Sequence, residues 1–88
     1  MTIIFSGAYG INVNFGITFQ AIVDGKSVSC HITQEALQDI NPENRFNSAT
    51  QQFESHKFKF QDVARRKIMN GEINNNQVYI TTSDILSF

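Results

Sequence analysis

The residues of this chain that are best suited to chemistry are one cysteine and two histidines. Cys30 and His31 are neighbours, an order that would suit a thiolate and its base if the two side chains could meet. They lie in an alternating segment typical of a β-strand, in which adjacent side chains point to opposite faces. We therefore predict that Cys30 packs in the core as a small apolar residue and that no hydrogen-bonded dyad forms.

A metal site is the second kind of chemistry to consider. The single cysteine excludes the usual cysteine-based zinc sites,. His31 and His56 have no carboxylates beside them at a ligand spacing,. The glycines also lack the strand-to-helix context of a phosphate-binding loop. The sequence thus predicts no metal, no cofactor and no catalytic constellation, and we expect a protein that is not an enzyme.

A basic segment is the clearest charged feature of the chain. The protein as a whole has a net charge of −1, but this segment has only Asp62 as an acidic residue. Its basic residues are Lys57, Lys59, Arg65, Arg66 and Lys67. On a helix, Asp62 can pair with Lys59 and with Arg66. Charges that are dispersed and partly neutralised favour a solvated helix face, and nucleic-acid binding is the alternative.

A β-hairpin must position Cys30 and His31. Asp24 and Gly25 lie between two alternating apolar segments, and this dipeptide favours a two-residue type I′ turn. The turn sets the register of the strands, which places Cys30 on the apolar face and His31 opposite Thr18 on the polar face. The pattern predicts a sheet with one face on a core and the other in contact with solvent.

The chain before the hairpin carries two further apolar segments. Residues 3–5 predict a short strand that stops at a loop of residues 6–10,. From Ile11 to Val23 the odd positions are all apolar. This run is longer than a typical strand of about 5 to 6 residues, so we expect a bend near residues 14–16. Residues 11–15 would then pair with the N-terminal strand in a meander of three or four antiparallel strands.

Two helices are predicted after the hairpin. Thr33 would cap a short helix that runs to about Ile40 and ends before Pro42,. A capping box at Ser48 and Gln51 would begin a second helix, which could run to Asn70,. The apolar face of the second helix, which would cover the sheet, contains Ala49, Phe53, Phe60, Val63 and Ala64,.

Phe58 and Met69 do not fit the apolar face of the second helix. Phe58 projects nearly opposite to that face, and Met69 lies three turns later along the same line,. Two alternatives are open. The helix kinks near Lys57 and buries Phe58, or a second apolar patch is exposed, and such a patch on a small domain is commonly an association surface.

The predicted architecture is a single domain over residues 1–88. Residues 77–82 would form a last strand that joins the sheet, with Val78 and Ile80 directed inward. The predicted fold class is α+β: a small antiparallel sheet, made of a β-meander with a central hairpin plus the C-terminal strand, covered on one face by two helices. A chain of this length buries one modest core.

The expected location is the cytoplasm. The N-terminus lacks the basic region of a signal peptide,. No apolar run approaches the roughly 20 residues that cross a bilayer. A single cysteine also fits a reducing compartment, so we expect no membrane association.

The order of several motifs is similar to that in a family of short bacterial proteins. The hairpin contributes the pattern Phe19-x-Ala21-x-Val23-x-Gly25-x-x-x-x-Cys30-x-Ile32. The second helix contributes Phe53-x-x-His56-Lys57 and ends near Ile68. From about Phe5 to Asp84, the chain resembles this family, which is known only as a domain of unknown function. The resemblance implies a small antiparallel sheet with two helices, and no established activity, cofactor or catalytic residue.

Three functional hypotheses follow. The first is a non-enzymatic module that acts by self-association or by binding another protein, through the uncovered sheet face or the side of the helix with Phe58 and Met69. The second is nucleic-acid binding through the five basic residues. The third is a small enzyme that uses Cys30 or His31, which would require a cleft with a perturbed titrating group.

Overall fold

The computed structural model describes residues 1–41, 43 and 47–87. Pro42, the predicted end of the first helix, and residues 44–46 of the following loop lie outside this set. The elements in chain order are β1 (Ile3–Ile11), β2 (Ile17–Val23), β3 (Lys26–Ile32), α1 (Gln34–Asp39), α2 (Ala49–Ser55), α3 (Lys57–Met69), β4 (Gln77–Ile80) and α4 (Thr82–Leu86). The strands form one sheet in the order β1-β2-β3-β4, which confirms the α+β class.

The hairpin of β2 and β3 has the predicted turn and register. Asp24 and Gly25 have positive φ angles of 50° and 84°, as a type I′ turn requires. Thr18 lies opposite His31, and Phe19 lies opposite Cys30. Burial alternates residue by residue along β2. The sheet therefore has one covered face and one open face.

The first strand is longer than predicted. β1 continues to Ile11 and pairs with β2 on both sides of an irregularity between Phe5 and Tyr9. The predicted loop at residues 6–10 is therefore wrong. Gly7, with a φ of 88°, lies within the irregularity, and a bulge of this kind lets a strand absorb extra residues and continue.

The chain reverses between β1 and β2 at residues 12–16. The Oδ1 atom of Asn12 accepts hydrogen bonds from the backbone N–H groups of Asn14 and Gly16, at 3.0 and 2.9 Å. Gly16 passes so close to β3 that an added Cβ would lie 1.9 Å from the Ile32 carbonyl oxygen. The expected bend is thus a complete turn. The predicted pairing of residues 11–15 with the N-terminal strand is wrong, because Ile11 itself ends β1 and pairs with Ile17 of β2.

The last strand joins the sheet beside β3, as predicted, but the two strands are parallel. The sheet is therefore mixed, and the prediction of an antiparallel sheet is wrong for this edge. The connection between the two strands runs through α1, α2 and α3. A helical crossover of this kind returns the chain to the end of the sheet where β3 begins, and a parallel pair results. Val78 and Ile80 are buried, as predicted.

The helical layer contains four helices within the described residues, where two were predicted. The second predicted helix begins at the capping box of Ser48 and Gln51 but breaks at His56, whose φ of −127° and ψ of 25° are not helical. The break lets α2 contact β1 and β2 while α3 contacts β4. One straight helix, at about 1.5 Å per residue, could not follow a twisted sheet in this way.

The fourth helix, α4, was missed. Its capping box is made by Thr81 and Asp84, and this Thr-x-x-Asp spacing is a recognised helix start. The pattern was visible in the sequence, but the apolar residues that follow it are too few to show a helical period. The first helix agrees with prediction, since Thr33 Oγ1 accepts a hydrogen bond from the backbone N–H of Ala36 at 3.1 Å.

The core lies between the covered face of the sheet and the helices. Phe53 stacks on Phe60 with ring centroids 6.0 Å apart, and it packs against Phe19 of β2 at 5.4 Å. The predicted apolar face of the second helix points into this core on both sides of the break, although Ala49 is only partly buried. The outer side of α3 and the open face of the sheet remain uncovered within the described residues.

Candidate interaction surface

Cys30 and His31 lie on opposite faces of β3, as the alternation predicted. Cys30 is fully buried, and burial raises the pKa of its thiol to about 12. A thiol with this pKa is protonated at neutral pH and is a poor nucleophile. The pair therefore does not form a cysteine–histidine dyad.

His31 belongs to a chain of polar side chains on the open face of the sheet. Its Nδ1 atom lies 2.8 Å from Thr18 Oγ1, and its Nε2 atom lies 3.2 Å from Gln77 Oε1. Tyr79 donates to the same Gln77 oxygen at 2.8 Å, and Asn12 donates to Thr18 Oγ1 at 3.3 Å. A neutral imidazole satisfies all these contacts when Nε2 carries the proton and Nδ1 accepts from the Thr18 hydroxyl.

A concavity of about 790 Å³ lies over this polar chain. Residues 8–14 line one part of it and residues 33–35 another. Tyr79 stacks on His31 with ring centroids 5.1 Å apart. Within the described part of the chain, every buried side-chain nitrogen and oxygen has a hydrogen-bond partner. The polar groups of Thr18, His31 and Gln77 beneath the concavity therefore satisfy one another.

The outer side of α3 presents a different kind of surface. Phe58 and Met69 are 76% and 65% exposed, whereas Phe60, two residues from Phe58, is fully buried. The Nζ atom of Lys57 lies 5.8 Å from the centroid of the Phe58 ring. Of the two alternatives for this helix, the break does occur beside Lys57, but it does not bury Phe58. Phe58 and Met69 are both exposed, as the second alternative predicted, but they lie about 16 Å apart along the helix,.

Two oppositely charged residues lie between Phe58 and Met69 on the same side of α3. Arg65 Nη1 and Asp62 Oδ1 form an ion pair at 2.7 Å. At 100° per residue, all four side chains fall within about 60° of the helix circumference. We refer to Phe58, Asp62, Arg65 and Met69 together as the α3 stripe. Only its two apolar members were predicted from the sequence, although all four follow one another at intervals of four, three and four residues,.

The five basic residues do not share one side of α3 when they are projected on the helix. Arg65 belongs to the α3 stripe, and its guanidinium lies 5.4 Å from the centroid of the Phe5 ring. Asp62 thus has Arg65 as a partner, which the helical projection did not select. Lys59 and Arg66 make contacts of their own. The structure brings the predicted basic residues onto one helix but not onto one surface.

Lys67 connects α3 to α4. Its side chain is only 15% exposed, and its Nζ atom lies 2.9 Å from Asp84 Oδ2. The same carboxylate accepts hydrogen bonds from the backbone N–H and the hydroxyl of Thr81, at 2.8 and 3.1 Å. Partial burial opposes the ionisation of Asp84, but the hydrogen bonds from Lys67 and Thr81 outweigh it and lower the pKa of Asp84 below its ordinary value of 3.8. Lys67 is therefore part of the structural framework.

The described residues offer neither a cluster of metal ligands nor a helix that could cross a membrane. In residues 1–41, 43 and 47–87, no three histidine, cysteine or carboxylate side chains are grouped so that they could hold a metal ion. His31 lies on β3, and His56 lies at the break between α2 and α3. Within the same residues, every helix is too short or too polar to span a bilayer.

Comparisons with known proteins give the fold and the family. A crystal structure at 1.60 Å of a protein of unknown function from the DUF1488 family of Shewanella loihica PV-4 matches with a TM-score of 0.78 and 23% sequence identity. The match covers 91% of this chain and 94% of that chain, and it shows the same fold. No curated protein matches the chain. The family model described as "Protein of unknown function (DUF1488)" matches residues 4–80, which confirms the resemblance identified from the sequence: the chain belongs to the DUF1488 family.

Proposed function

We propose that this protein is a non-enzymatic module that acts by self-association through the outer side of α3. The observation that carries the proposal is the exposure of Phe58 and Met69 at the two ends of the α3 stripe. Each of these two side chains offers apolar area that a partner could bury, and burial of apolar surface favours association. Catalysis has weaker support, because Cys30 is buried in the core. His31 is held by hydrogen bonds with Thr18 and Gln77.

The open face of the sheet is less suited to this role. Its polar side chains already satisfy one another through Thr18, His31 and Gln77. A partner that covered them would remove solvent without adding many new hydrogen bonds, and desolvation of polar groups opposes binding. The outer side of α3, in contrast, has apolar surface whose burial would lower the free energy.

The size of the surface predicts a weak complex. A stable interface buries about 800 Å² on each partner, and α3 has only 13 residues. We therefore expect a dissociation constant in the micromolar range or weaker, roughly 10 µM to 1 mM. Association of this strength would respond to the local concentration of the protein.

Light scattering tests the proposal over monomer concentrations from about 10 µM to about 1 mM, a range chosen to span the expected dissociation constant. We expect the wild-type mass to rise from 10.0 kDa towards the mass of a dimer, and Phe58→Asp to stay monomeric. Val13→Asp is the matched control, because Val13 is 92% exposed and lies in the turn between β1 and β2. Circular dichroism would establish that each variant is folded.

Two results would overturn the proposal. One is a wild-type protein that remains monomeric over the whole concentration range. The other is dissociation by Val13→Asp with no effect of Phe58→Asp, which would move the contact to the side of the β1–β2 turn. Retention of the dimer in Val13→Asp together with its loss in Phe58→Asp would support the role of α3.

Nucleic-acid binding is the competing proposal. Arg65 and Lys67 are ion-paired within the chain, so binding of phosphate would have to compete with Asp62 and Asp84. Fluorescence anisotropy with labelled RNA and DNA at low salt would reveal such binding. An affinity that falls steeply as salt rises would favour it over self-association through an apolar surface.

A further inference from the structure

We infer that two copies of α3 pair in antiparallel orientation across a two-fold axis, so that each Phe58 packs on the partner's Met69 and each Asp62 faces the partner's Arg65. This inference rests on the proposed self-association and specifies its geometry. It assigns a role in association to the ion pair of Asp62 and Arg65, in addition to the contact that the Arg65 guanidinium makes with the Phe5 ring.

The spacing of the α3 stripe is the same in both directions. Its members follow one another at intervals of four, three and four residues, which is the spacing of core positions in a coiled coil. In a two-fold contact, residue i of one copy meets residue j of the other, and j meets i. An axis midway between positions 63 and 64 therefore brings Phe58 and Met69 together at both ends of the contact. The same axis brings Asp62 and Arg65 together in the middle.

The charges select the antiparallel orientation. In a parallel pair, each Asp62 would face a second Asp62 and each Arg65 would face a second Arg65, and like charges across an interface are unfavourable. In an antiparallel pair, the two acids and the two bases alternate around the axis. Each carboxylate keeps the guanidinium of its own helix, 2.7 Å away in the monomer, and gains the guanidinium of the other copy. The group of four charges is neutral.

The apolar ends and the charged centre have different roles. Phe58 and Met69 are both mostly exposed in the monomer, and their contact in the dimer would join an aromatic ring to a thioether, which is a favourable combination. The two-fold axis repeats this contact at the other end. The central ion pairs contribute more to orientation than to affinity, because each charge loses hydration when it is covered.

Disulfide cross-linking tests the orientation directly. In the antiparallel pair, the two copies of position 58 are separated by about 16 Å along the helix, at 1.5 Å per residue, whereas a disulfide requires Cα atoms about 4.4 to 6.8 Å apart. We expect Phe58→Cys alone, and Met69→Cys alone, to cross-link poorly. An equimolar mixture of the two variants, one of them labelled with ¹⁵N, should form a mixed disulfide at least about tenfold faster. The native cysteine, Cys30, is buried and should not compete.

The outcome of cross-linking separates the possible orientations. Rapid cross-linking of Phe58→Cys with itself would indicate a parallel pair and would overturn the inference. Equal cross-linking rates in the mixture and in the single variants would indicate that no defined orientation exists. This result would also overturn the inference. Val13→Cys, mixed with Met69→Cys, is the control for random collision.

Charge exchange tests the central contact by a separate measurement. Asp62→Arg and Arg65→Asp each place like charges across the axis, and each should weaken the dimer by about tenfold or more, since one such contact occurs on either side of the axis. The double variant Asp62→Arg/Arg65→Asp restores the alternation and should return to within about threefold of wild type, because the pairing is exchanged rather than lost.

These tests distinguish failure of the geometry from failure of the proposed function. If wild type dimerises and Phe58→Asp abolishes the dimer, but the charge variants have no effect, then self-association through α3 stands and the antiparallel pairing is wrong. If wild type does not dimerise, both proposals fail together.

Discussion

The two sides of α3 carry the same kinds of residue in opposite environments. On the inner side, Phe60 is fully buried, and Lys67 pairs with a partly buried Asp84. On the outer side, Phe58 is exposed, and the ion pair between Asp62 and Arg65 is about half exposed, with the Arg65 guanidinium beside the Phe5 ring. An aromatic ring or an ion pair stabilises the monomer more where other parts of the chain surround it. The difference teaches that the inner side serves the fold, and we propose that the outer side serves association.

The largest expected difference between the two sides concerns the two phenylalanines. Phe60→Ala should lower the free energy of unfolding by about 3 to 5 kcal/mol, because it leaves a cavity beside Phe53. Phe58→Ala should change it by no more than about 0.5 kcal/mol, as expected for an exposed side chain. Urea denaturation at about 1 µM protein would measure both values without a contribution from dimerisation. A loss of more than about 1 kcal/mol in Phe58→Ala would contradict the independence of the outer side.

The two ion pairs should differ less than the two phenylalanines in their contribution to the free energy of unfolding. Asp84→Asn should lower the free energy of unfolding at pH 7 by about 1 to 2 kcal/mol, because it weakens the hydrogen bonds that Lys67 and Thr81 donate to a charged group. Asp62→Asn, the matched variant on the outer side, should cost about 0 to 0.5 kcal/mol, as for other exposed ion pairs. Denaturation under the same conditions would compare them. Equal losses would show that burial does not separate the two pairs.

The smallest expected effect is the pH dependence of the contribution that Asp84 makes to the free energy of unfolding. The pKa of Asp84 is lowered in the folded state from an ordinary value of 3.8, so the unfolded chain takes up a proton first as the pH falls. The stabilisation is therefore complete above the ordinary pKa and is lost as the pH falls through the lowered, folded value.

Wild type and Asp84→Asn, compared by urea denaturation across this range, provide the measurement. The difference between their free energies of unfolding should be constant from about pH 7 to about pH 5 and should shrink below about pH 4. A difference that grew as the pH fell would have the wrong sign and would show that Asp84 is not the group responsible.

The hairpin shows which parts of the fold could be predicted. Asp24-Gly25 and the alternation around it specify the turn, the register and the burial of Cys30, because these depend on residues that are close in sequence. The path of β1 could not be predicted in the same way. Gly7 was interpreted as a sign of a loop, whereas pairing with β2 carries the strand through it.

The candidate surface was predicted in part for a similar reason. Phe58 and Met69 were identified from helical spacing, which is a local property. The ion pair of Asp62 with Arg65 was not identified, because several basic residues lie within reach of Asp62 on one helix. The contact of the Arg65 guanidinium with the Phe5 ring of β1 depends on how the helix packs on the sheet, and a helical projection contains no information about that packing.

The sequence by itself determined the hairpin, the helix caps at Thr33 and Ser48, the burial of Cys30 and the spacing of the α3 stripe. Each of these depends on interactions between residues a few positions apart. Only the tertiary structure decided that the helix breaks at His56, that β4 lies parallel to β3 and that Phe58 remains exposed after the break. These features depend on packing between elements that are distant in the chain, where the twist of the sheet and the space beneath each helix determine which side chains are covered.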